Sequence, residues 1–169
     1  MIAPAAMTMP SPDTFVQVEY LALSGVLLGE DTPTPRLTIA WRDNGPSAHV
    51  VSGYTDNIDE PDKRHIHLTI GREAGVVRVV TALAHELTHA QGHHGHRRPW
   101  REAYAANVNR LWGLDITDAL DVPHRYDLDL VIEYRLWRSR TASPLLCDVL
   151  GNPDIPLPIF DVAPLPKGL

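Results

Sequence analysis

Two hydrophobic rhythms run along the chain, and each predicts a different kind of element. Across residues 14–28, Phe15, Val18, Ala22 and Val26 recur at roughly helical spacing, and Pro12 and Asp13 suit a helix start. Val16, Val18 and Tyr20 also alternate, so a strand is the competing reading there. The segment EDTPTP (30–35) breaks the pattern. Residues 36–42 (RLTIAWR) then alternate and predict a strand. The turn DNGP follows, and AHVVSGY (48–54) is its expected hairpin partner. HIHLTI (65–70) alternates again: Ile66, Leu68 and Ile70 share one face, and His65 and His67 share the other. Those two histidines read as solvated strand positions rather than a metal pair.

The rhythm changes over residues 72–91, which are rich in Ala, Val and Leu and contain no proline. Val76, Val80, Leu83, Leu87 and Ala90 form an apolar stripe at helical spacing. Gly92 and Gly95 end this helix, Pro99 opens the next, and Gly113 closes it. Trp100, Ala103, Tyr104, Val108 and Leu111 are the expected core face of that second helix. A further helix is expected over 127–138, with Leu128, Val131, Ile132 and Leu136 inward. Trp112, Tyr126, Tyr134 and Trp137 read as core aromatics. The pattern predicts an α+β fold: a small three-stranded, mostly antiparallel sheet beside the long helix, with two further helices completing the domain.

Composition adjusts this picture little. A chain of 169 residues suits one domain, here residues 13–140, with a flexible lead-in at 1–12 and a proline-rich tail at 141–169. Fifteen Lys and Arg against 21 Asp and Glu give a net charge of −6, which disfavours strong autonomous nucleic-acid binding. The single cysteine, Cys147, excludes an intrachain disulfide and a cysteine zinc ribbon, and it reads as a small buried residue. No signal peptide or membrane span is evident, so a cytoplasmic protein without a membrane partner is expected.

The candidate chemistry lies in His85-Glu86-Leu87-Thr88-His89. Residues four apart share a helix face, so His85 and His89 can ligate one zinc ion. Glu86 is then positioned to take a proton from a water molecule as it attacks a carbonyl. A catalytic zinc needs a third protein ligand and an open position. His93, His94, His96, Glu102 and Glu133 are the candidates. A ligand six residues beyond the second histidine is excluded, because that position is Gly95.

The run HELTHAQGHHGHRRPW (85–100) resembles the SprT-like zinc metallopeptidases. In that family HExxH is followed by a short loop, then Gly-His, then an aromatic residue four positions on; Gly95, His96 and Trp100 match. The resemblance covers roughly residues 13–113 and is specific from Thr81 to Trp100. It implies one catalytic zinc held by His85, His89 and His96, with Glu86 as general base, acting on a protein or peptide substrate. Arg97 stands where the family often has glycine, which keeps His93 and His94 open as alternatives. Arg97, Arg98 and Arg101 form a basic cluster beside the motif, a candidate contact for substrate or, weakly, for DNA phosphate. A non-catalytic zinc module and a protease acting on DNA-bound proteins are the alternative functions.

Overall fold

The computed structural model describes residues 11–42 and 46–139. Its elements run in the order α1 (Pro12–Leu27), β1 (Arg36–Arg42), β2 (Val51–Asp56), β3 (His65–Gly71), α2 (Val76–Ala90), α3 (Arg98–Trp112) and α4 (Arg125–Ser139). This is an α+β fold, four helices around a three-stranded mixed sheet. Cys147, the proline-rich tail, residues 1–10 of the lead-in, residues 43–45 of the turn and the side chain of Trp137 lie outside the described residues.

The helical reading of the first segment is correct, but its inward face is rotated. Ser11 caps α1, its Oγ accepting from the Thr14 amide at 3.2 Å, and Asp13 sits in the first turn, where a negative charge suits the helix dipole. Phe15, Val16, Tyr20, Leu23 and Leu27 are buried, whereas Val26 is exposed. The segment is apolar on several sides, and the bulkier set takes the core.

The sheet order is β1-β3-β2. The expected hairpin between the first two strands does not form. β3 lies between them, parallel to β1 (Arg36 opposite His65) and antiparallel to β2 (Val51 opposite Ile70). Ile66, Leu68 and Ile70 project into the core as the alternation requires. His65 and His67 occupy the other face, their rings stacked with centroids 3.9 Å apart. The central place therefore goes to the strand with the most regular apolar alternation.

Helix α2 is the axis of the domain. It packs against β2, β3 and all three other helices. Thirteen of its residues are buried, which explains a segment apolar on almost every side. The helix begins at Val76, not Arg72, because residues 72–75 form a turn anchored to the sheet: the Arg72 amide donates to the Arg42 carbonyl of β1 at 3.0 Å. Gln91 Nε2 donates to the Leu27 carbonyl at 3.0 Å, tying the end of α2 to the end of α1. Helix α3 carries its expected core, with Trp100, Tyr104 and Val108 buried and Ala103 and Leu111 at its margin, and Trp112 is buried too. Leu128, Ile132 and Leu136 of α4 complete the core, while Val131 packs at its edge. The aromatics divide: Tyr126 is 62% exposed, so it is not a core residue.

Candidate metal centre

His85 and His89 lie one turn apart on α2, facing the cleft between β2 and α4. The loop after α2 returns His96 over them. Gly92 (φ 98°) and Gly95 (φ 62°) take the left-handed backbone that this reversal needs and that side-chain-bearing residues disfavour. The Nε2 of His96 lies 2.9 Å from Nε2 of His85 and 3.1 Å from Nε2 of His89. Among the described residues this is the one cluster of three or more metal-ligating side chains, with donor atoms within 4.8 Å of one another.

The donor set fits zinc. Imidazoles bound at about 2.0–2.1 Å with tetrahedral angles place their nitrogens about 3.3 Å apart. The observed spacings need only small adjustments to reach that value. The opposite ring nitrogens are already engaged. His85 Nδ1 meets Asp129 Oδ1 at 3.1 Å, and His89 Nδ1 meets the His93 carbonyl at 2.7 Å. An acceptor at Nδ1 puts the proton there and leaves the Nε2 lone pair facing the cluster. Burial, first of all, pulls the His89 pKa down to about 4 and that of His96 to about 3, with neighbouring histidines adding to the effect. Neutral imidazole is the form that ligates metal.

A buried aromatic floor supports the three rings. The Trp100 ring centroid lies 4.6 Å from His85, 5.2 Å from His89 and 4.6 Å from His96. Below it the Tyr104 hydroxyl donates to Asp129 Oδ1 at 2.8 Å and lies 3.2 Å from the Thr81 carbonyl. Asp129 of α4 is thus held by α3 while it orients His85 on α2.

Glu86 is 4% exposed and lines the same cleft. Thr55 Oγ1 donates to its Oε2 at 2.7 Å. Burial raises the Glu86 pKa, opposed by the nearby His85 and the Thr55 hydrogen bond. Gly53 on β2 makes room: a Cβ there would lie 3.0 Å from Glu86 Oε1 and 2.8 Å from Leu68 Cδ2. The cleft has a volume of about 690 Å3, of the size that peptide-length or drug-sized ligands occupy.

The other sequence candidates lie elsewhere. His93 contributes its backbone carbonyl, and His94 Nε2 turns outward to Asp59 Oδ1 at 2.7 Å. Glu102 pairs with Arg98, and Glu133 lines the cleft but pairs with Arg78. The basic cluster divides. Arg97 is exposed, and Arg98 bonds Glu102 and Asp121. Arg101 donates to the carbonyls of His96, Leu120 and Val122, bracing the ligand loop. Sequence reasoning missed Asp129, Thr55 and Gly53. Asp129 carried no spacing signal, since 44 residues separate it from His85. No helix among the described residues is long and apolar enough to cross a membrane. Comparison of the chain with protein-family models, curated proteins and solved structures returned no match.

Proposed function

We propose that the protein is a zinc-dependent peptidase of the SprT-like kind. The observation that carries this reading is the convergence of the Nε2 atoms of His85, His89 and His96 in a cleft lined also by the Glu86 carboxylate. The three histidines hold the ion, and a bound zinc supplies Lewis acidity to water and to a peptide carbonyl. The chain's own residues do the rest. Glu86 takes the proton from the attacking water and returns it to the leaving amine. The Thr55 hydroxyl keeps that carboxylate aimed, and β2 and α4 form the cleft walls on either side of the peptide.

A non-catalytic zinc module is the competing reading, and Glu86 speaks against it. A purely structural site has no use for a buried carboxylate kept beside open space. The test compares wild type with Glu86→Gln for zinc content and for cleavage of an unfolded protein. Both should bind one zinc per chain, and only wild type should cut. Zinc binding without cleavage by wild type would leave the module reading standing. A protease for DNA-bound proteins requires more: cleavage of a DNA-crosslinked protein that rises with DNA and falls with salt.

A further inference from the structure

Most charged side chains of the cleft are engaged within the protein. Arg78 Nε pairs with Glu133 at 3.2 Å, and its Nη1 donates to the His49 carbonyl at 2.9 Å. Asp129 accepts from Tyr104 and contacts His85, and Glu86 accepts from Thr55. Arg125 is different. It is the first residue of α4, it is exposed, and it lines the same cleft as His85, Glu86, His89 and His96. Its guanidinium lies 4.6 Å from the centroid of the Tyr126 ring, and Nη2 donates to the Tyr126 hydroxyl at 2.7 Å. No carboxylate among the described residues forms an ion pair with it.

A cation in the first turn of a helix opposes the helix dipole. Asp127 in the same turn accepts from the His124 amide at 3.4 Å and forms no ion pair with Arg125, whose guanidinium faces the cleft. Tyr126 engages one N–H of the exposed guanidinium, which carries five donors in all.

We propose that Arg125, braced by Tyr126, binds a carboxylate of the substrate, so that the cleft selects anionic peptides. This rests on the peptidase reading and assigns part of its specificity. The planar fork of arginine suits a carboxylate held by two parallel hydrogen bonds. Two sources supply that group: an Asp or Glu side chain near the scissile bond, or the peptide's own C-terminus.

Three blocked peptides separate them: one with Glu residues and an amidated C-terminus, one neutral with a free C-terminus, and one neutral and amidated. The zinc-loaded full chain is assayed for kcat/KM on each, and Glu86→Gln for binding each by anisotropy. One carboxylate peptide should exceed the neutral amidated peptide by about tenfold in both readouts, the scale of a partly exposed charge-assisted hydrogen bond. Arg125→Gln should bring that ratio to about one. Arg125→Glu should take the ratio below one, in favour of the neutral amidated peptide. Equal values for all three peptides overturn the proposal whether or not the variants fold. If wild type cuts none of them, the peptidase reading fails, and the binding ratio alone decides on Arg125.

Discussion

Asp129 determines which nitrogen His85 offers to a metal. Its Oδ1 is shared between His85 Nδ1 and the Tyr104 hydroxyl, so the imidazole is held with Nε2 toward His96. Asp129→Asn keeps the shape and removes the charge. Zinc affinity, measured by competition with a chromophoric chelator, should fall roughly 10- to 100-fold; unchanged affinity would show that the contact is incidental. Glu86 depends on a neighbour in a different way. Gly53 carries no side chain because the Glu86 carboxylate and Leu68 fill the space where one would stand. Gly53→Ala should therefore destabilise the fold by about 1–3 kcal/mol through overpacking. On the proposed mechanism it should also lower kcat more than zinc affinity, since Glu86 moves and the three histidines do not. Denaturant titration and turnover of one peptide, measured on the same preparation, check both halves.

Among the elements, α2 and α3 were the most legible, because their apolar stripes repeat at helical spacing and glycine and proline punctuate them. The pairing of His85 with His89 on one face of α2 follows from that periodicity alone. The third does not, since three loop histidines compete and only the reversal at Gly92 and Gly95 selects His96. Alanine substitutions at His93, His94 and His96 should separate sharply. His96→Ala should abolish tight zinc binding, and His94→Ala should leave it unchanged because that ring faces Asp59 on the surface. His93→Ala should also retain it, since the residue serves through its backbone carbonyl. Tight binding by His96→Ala would mean that another side chain completes the set. The strand order was not legible. Alternation marks a strand but says nothing about its partner, and the parallel pairing of β1 with β3 joins residues far apart in sequence. Asp129 was hidden for a similar reason: 44 residues separate it from His85.

At the scale of the whole molecule, the three-histidine cluster joins parts that the core alone leaves separately anchored. His85 and His89 belong to the buried axis, whereas His96 belongs to a loop held by Arg101 and the carbonyls it bonds. An ion bound to all three would close that loop onto the axis and, through Asp129, couple it to α4. The hydrophobic core, running from Phe15 on α1 to Leu136 on α4, is extensive without the metal. Chelation should therefore not unfold the chain as it unfolds a small zinc finger, whose folding depends on the ion. It should remove only the stabilisation due to binding, about 4 kcal/mol when free zinc exceeds Kd a thousandfold. For a domain of this size that corresponds to a fall in Tm of about 10 °C. The loss should be smaller in Asp129→Asn and absent in His96→Ala. Thermal unfolding followed by circular dichroism, with and without chelator, measures all three. A chelated wild type that loses its helical signal at room temperature would overturn the view of a self-sufficient core with a catalytic ion added to it.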